Sequence, residues 1–236
     1  MDEDAREHDD EPVALETRGV GAEMLTQGAL ALAFGAAPSH ALLTAIAPFA
    51  ARALDASARE LFGVRLRRVG SMLAAATEAA GSEETLADAI AASEETQELA
   101  FDTAERAAQS RVPEAVIAMG RALANGLLAD GTKLEESRMV IEALASLTPP
   151  HVRVLQVMAD GPGRQTELNI AAYLDDGWRD ALPRLLAGLE REGLIRERPR
   201  EDPTFADVKS GQNQLWSMTS MGRRSWEVLR EVGSES

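Results

Sequence analysis

The apolar positions of this chain recur at helical spacing over most of its length and change to strand spacing only near the end. From Pro48 to Gly81, PFAARALDASARELFGVRLRRVGSMLAAATEAAG places Leu54, Leu61, Val64, Leu66, Val69 and Leu73 along one side of a helix. Pro48 suits a first turn and Gly81 a C-terminal stop. The tetrapeptide SEET then occurs twice, at Ser82 and Ser93, each time ahead of a new apolar-periodic stretch. A serine there accepts from the unpaired N–H groups of the first turn, and the glutamates behind it suit the positive helix end. Another helix is predicted from Ser110 to Asp130, with Pro113 in its first turn and Gly131 ending it. Thr132-Lys133-Leu134-Glu135 has the form of a capping box and starts one more, reaching Ser146.

From Leu147 the pattern shortens. Thr148-Pro149-Pro150 opens a helix through VRVLQVMAD that Gly161-Pro162-Gly163 closes, and TELNIAAYL, Thr166 to Leu174, gives a second short helix. The third lies in LPRLLAGLEREGLIRERP, with Asp180 as its N-cap and Pro183 in the first turn, where a missing N–H costs nothing. Leu182, Leu185, Leu186 and Leu189 then face inward, and Arg184, Ala187, Gly188 and Arg191 face outward. After Gly193 the period turns toward strand in LIRERP. The polar loop REDPTFADVKSGQ leads to a second strand in NQLWSMT, and SMGRRSWEVLREV closes as a helix through Met221, Trp226 and Leu229. Helix, helix, helix, strand, wing, strand, helix is the order of a winged helix. The expected fold is mainly α: a disordered acidic tail over 1–20, an all-α helical domain over 21–146, and a winged-helix domain over 147–236 with a two-stranded antiparallel wing.

Composition agrees with helices packed through small side chains. Alanine is abundant and aromatic content is 4%, too little for a β-sandwich. The chain has no cysteine, which removes disulfides, Cys-ligated zinc, iron–sulfur clusters and thiol nucleophiles. From Met24 to Ala51 there is no charged residue, but the run is mostly Ala and Gly and is broken at Pro38 and Pro48. A buried hairpin or a self-association surface fits it better than a membrane span, which needs about 20 apolar residues. The opening MDEDAREHDDE is acidic where a secretory signal needs a basic start, so a cytoplasmic location is expected.

Formal net charge is -15, and it is unevenly spread. Met1 to Ser146 holds 12 Lys and Arg against 25 Asp and Glu, whereas Leu147 to Ser236 holds 12 against 14. Arg65, Arg67 and Arg68 form the one basic knot of the front half, expected to pair with neighbouring acids. Only His8, His40 and His151 exist, at no metal-binding spacing, and no serine sits in a nucleophile motif. Gly161-Pro162-Gly163 lacks the lysine of a phosphate loop, and Asp175-Asp176 fits a turn. No catalytic residue, metal or cofactor is expected. The three tryptophans, Trp178, Trp216 and Trp226, all fall in the last third and are expected to fill core, with Trp178 the most exposed.

The helix end LEREGLI, followed downstream by WSMTSMGRRSWEVL, resembles the MarR-like winged-helix pattern over roughly the last 90 residues. Trp216 stands at the aromatic position of that pattern, and Met218-Thr219 replaces its usual Leu-Thr. The segment AMGRALANGLLADGTKLEESRMVIEALASLTPPHVRVLQVM is similar to bacterial helical proteins of the Abi-alpha abortive-infection kind, which implies a link to antiviral defence and no chemistry. A winged helix serves DNA or protein contacts. The first expectation is a DNA-binding bacterial regulator, a homodimer through its front helices, with Arg184 and Arg191 reaching base edges or phosphate. Arg198, Arg200 and Lys209 would touch phosphate from the wing, flanked by Arg164 and Arg179. The second is an interaction scaffold whose winged face holds a protein partner. Asp175, Asp176 and Asp180 favour it, because they repel phosphate.

Overall fold

A computed structural model describes residues 59–129, 132–199 and 214–233. The expectations for 1–20 and 24–51, and for His8, His40, Leu54 and Gly131, fall outside these residues. Among the described residues the chain is mainly helical, with one small antiparallel sheet. Five helices come first: α1 (Arg59–Ala80), α2 (Glu83–Ala91), α3 (Glu94–Gln109), α4 (Pro113–Leu127) and α5 (Thr132–Ala145). Then follow α6 (Pro149–Asp160), α7 (Glu167–Ala171), α8 (Asp176–Arg179), α9 (Leu182–Arg191), strands β1 (Ile195–Pro199) and β2 (Gln214–Met218), and α10 (Ser220–Gly233).

Helix α4 packs against α1, α2, α3, α5 and α10. It can do so because Ala115, Ala118, Gly120, Ala122, Ala124 and Gly126 are all buried, and small residues let helix axes approach to the short end of the usual range of about 8–10 Å. A Cβ at Gly120 would run into the carbonyl of Met72 and lie 3.1 Å from the Cβ of Ala75 on α1. The buried stripe of α1 therefore runs through Met72, Leu73, Ala75 and Ala76, while Val64, Leu66 and Val69 are only half-buried. Where two backbones nearly touch, alanine fits and a longer side chain does not.

Both SEET motifs cap as expected. Ser82 Oγ accepts from the Thr85 N–H and Ser93 Oγ from the Thr96 N–H, each at 3.1 Å. In the second, Thr96 Oγ1 accepts in return from the Ser93 N–H at 3.0 Å, so threonine takes the reciprocal place that glutamate often holds. Ser110 ends α3 instead of opening the next helix, and α4 starts at Pro113 after Val112. Helix α5 starts at Thr132 itself, one residue earlier than a Thr132 cap would place it. The expected Asp180 cap is not formed. Asp175 to Arg179 closes a turn of its own, tied by Arg179 Nη1 to Asp176 Oδ1 at 2.8 Å. Asp180 therefore ends α8, and Ala181 precedes α9 without a side-chain cap.

Helix α9 buries Leu182, Leu185, Leu186 and Leu189, the expected stripe. It ends in a left-handed Gly193 (φ 68°), with Gly193 N–H donating to Glu190 O and Leu194 N–H to Leu189 O. Strand β1 pairs with β2 from Ile195 opposite Met218 to Pro199 opposite Gln214. On the other side of β2, Trp216 exchanges two backbone hydrogen bonds with Gln165. The buried Gln165 side chain donates to Val157 O and Met158 O, closing the C-terminal end of α6. Thr219 then ties the sheet to α10: its Oγ1 donates to Gly193 O at 2.6 Å and accepts from Gly222 N–H at 2.9 Å. A Cβ at Gly222 would strike the Leu194 carbonyl. Helix α10 crosses back onto α4, α5 and α6, with Arg224 paired to Glu136, and a single apolar core runs from Met72 to Leu229. Trp216 is buried, and Trp178 and Trp226 are half-buried against that core.

His151 caps the start of α6. Its Nδ1 accepts from the Thr148 N–H at 3.3 Å and lies 3.0 Å from Thr148 Oγ1, while Nε2 faces α9 at Gly188. Burial lowers its pKa below 6.5; Glu192 acts against that shift and Arg191 adds to it. An unfolded chain therefore takes up this proton at higher pH than the folded one, and stability is lost as pH falls below 6.5 and on through the folded value. Urea midpoints at pH 7.5 and 5.5 should separate more for the wild type than for His151→Asn, which keeps an acceptor near the Nδ1 position and cannot titrate. For the helix crossing, Gly120→Ala should cost about 1–3 kcal/mol of unfolding free energy, even with the roughly 1 kcal/mol that alanine gains over glycine in a helix. Gly163→Ala, where a Cβ meets nothing within 4 Å, is the matched control and should leave the midpoint nearly unchanged.

Candidate nucleic-acid interface

The solvent side of α9 is an arc one helix-face wide. Gly188 borders α6 through His151, and Glu190 borders β1, its Oε1 accepting from the Glu197 N–H at 3.2 Å. Between these borders stand Arg184, Ala187 and Arg191, all exposed. Seven residues separate the two arginines, about 10 Å along the helix axis at the α-helical rise. Among the described residues no carboxylate pairs with Arg184. Arg191 is 79% exposed, and its Nε donates to the neighbouring Glu192 Oε1 at 3.2 Å. Neither is covered by carboxylates of α1 to α5.

The remaining arginines are placed differently. Arg179 Nε donates to Ala171 O at 3.0 Å and its Nη1 pairs with Asp176, so this side chain braces α8 against α7. Arg164 is exposed in the turn before α7. Arg198 is exposed on β1 opposite Leu215, and Arg200 and Lys209 lie outside the described residues. Sequence reasoning overlooked Arg196, which is exposed opposite Ser217 and shares a strand face with Arg198. The two-residue period of a strand was the available signal, because positions 196 and 198 point the same way. It also overlooked Leu168 and Tyr173, on and just after α7, which are 59% and 67% exposed. The five residues of α7 have too little surface to bury every apolar side chain of this stretch.

Charge on this surface is mixed. From Asp175 to Pro199 the chain holds five arginines and six carboxylates. Glu190 and Glu192 sit within two residues of Arg191, and Asp175, Asp176 and Asp180 sit before α9. A separate open groove of about 660 Å³ runs between α6, α10 and the turn before α4. Trp226, Val152 and Leu229 line it, with Arg153, Arg230, Glu114 and Asp160 along its sides. Among the described residues no group of three or more His, Asp or Glu is placed to hold a metal, and no helix is long and apolar enough to cross a membrane. No family model, curated protein or solved structure matches the chain.

Proposed function

We infer that Leu147 to Ser236 forms a winged-helix domain on an all-α front domain, and that it holds duplex DNA against α9 and the β1–β2 hairpin in the manner of a bacterial regulator. The observation that carries this reading is the outer arc of α9. Two arginines about two turns apart stand clear of the acidic helices, with Ala187 and Gly188 between them and Glu190 to the side that borders β1. Small residues between two guanidinium groups let a helix approach the floor of a major groove about 12 Å wide while the arginines reach its sides. Arg196 and Arg198 add two cations on the hairpin, and Thr219 holds hairpin, α9 end and α10 together. Resemblance to MarR-like modules points the same way. With five arginines set among six carboxylates, one copy attracts phosphate weakly, so the reading includes a homodimer that doubles the contacts.

A second reading, a scaffold whose winged face binds a protein, draws on the same mixture of charge. Arg179 with Asp176 and Arg191 with Glu192 present both signs side by side, a pattern that complements another protein better than a uniformly anionic duplex. Fluorescence anisotropy with a labelled mixed-sequence duplex separates the two. DNA binding should weaken steeply with salt, and Arg184→Ala/Arg191→Ala should weaken it about tenfold or more at low salt while reducing the salt slope by about two phosphate contacts. Absence of binding by the wild type at low salt sinks the DNA reading and leaves the surface to a protein partner.

A further inference from the structure

We propose that Glu190 is a positioning residue, which fixes the β1–β2 hairpin at a set angle to α9 and does so at a cost in attraction for phosphate. Three observations meet at this side chain. It lies on the exposed arc of α9, on the side that borders β1. Its carboxylate accepts the Glu197 N–H, and β1 meets β2 on its other edge, so this N–H would otherwise go to water. It is one residue from Arg191, on the surface that the DNA reading assigns to the duplex. A carboxylate on such a surface repels phosphate. What it does in return is hold the strand that carries Arg196 and Arg198 to the helix that carries Arg184 and Arg191.

Two terminations anchor the same junction from the backbone side: Leu194 N–H donates to Leu189 O, and Thr219 N–H donates to Leu194 O. Those bonds fix where the chain leaves α9. Further along the hairpin β2 is held on its outer edge, where Trp216 exchanges backbone hydrogen bonds with Gln165, while on β1 Arg196, Arg198 and Pro199 are exposed. Glu197 is the position at which the helix takes hold of the strand a second time. With Gln165 on the outer edge of β2 and Glu190 on the outer edge of β1, the Glu197–Trp216 pair is held from both sides.

The phosphate half of this inference rests on the DNA reading; the positioning half does not. Two variants separate them. Glu190→Gln keeps an acceptor oxygen and removes the charge, whereas Glu190→Ala removes both. Amide hydrogen exchange of the full chain, followed at Glu197, should be unchanged in Glu190→Gln and about three- to tenfold faster in Glu190→Ala, the range expected for loss of one hydrogen bond. In duplex anisotropy at low salt, Glu190→Gln should bind about two- to fivefold more tightly than wild type, and Glu190→Ala more weakly than Glu190→Gln. Equal exchange at Glu197 in wild type and Glu190→Ala overturns the positioning role. Equal duplex binding by the two variants overturns the link between hairpin angle and contact. If exchange changes as expected and no form, wild type included, binds duplex, the DNA reading falls and the positioning role stands.

Discussion

The contact on which the rest of the fold depends is the one between the backbones of α1 and α4, where Gly120 lies against the carbonyl of Met72. It sets the distance between the two helices, and that distance decides which side chains fit beside it. Met119 and Leu123 on α4 and Met72 and Leu73 on α1 fill the space left around the crossing and are almost wholly buried. On another side of α4, Gly126 lies against the Ser137 side chain of α5, a second close approach. A helix with short side chains over so much of its surface can take five partners, which is how a chain with few aromatic residues builds a continuous core.

Most helix boundaries are written locally and were legible. A serine ahead of two glutamates needs no tertiary context to cap a helix, and the four-leucine stripe of α9 needs only the helical period. What escaped reading depends on partners far along the chain. Gln165 looks like an ordinary polar residue in GPGRQT, yet it is buried because it joins α6 to β2. The buried face of α1 shifts to Met72, Leu73, Ala75 and Ala76 because α4 approaches there, at Gly120, a fact that α1 alone does not contain. Asp180 is the local exception: it missed its expected role because its near neighbours Arg179 and Asp176 close a turn first. As for the candidate site, the outward arginines of α9 were legible from periodicity; their local carboxylate neighbours, Glu192 beside Arg191 above all, take effect only through side-chain geometry.

Charge has a direction in this molecule. The front carries most of the acid, and the last ninety residues are close to balance. At physiological salt the field of an exposed charge fades over about 8 Å, so each surface acts mainly through its own groups. Neutral interleaving on α8, α9 and β1 is then a property of that surface, independent of the acidic body behind it. The ion pairs of α10, Arg224 with Glu136 and Arg121 with Glu231, cross between the two parts with opposite polarity. Such pairs contribute little energy each, on the order of 0–1 kcal/mol, but they favour one way of laying α10 across α4 and α5.

That placement of α10 bears on how the protein is made. Chains fold as they leave the ribosome, front first, at about 5–20 residues per second. Helices α1 to α5 can assemble early, but the side of α4 that receives α10 waits until Leu229 has been synthesised and has cleared the exit tunnel. For that interval an apolar strip on the central helix stays uncovered, and completion of the front bundle depends on the arrival of a segment about a hundred residues further along the chain.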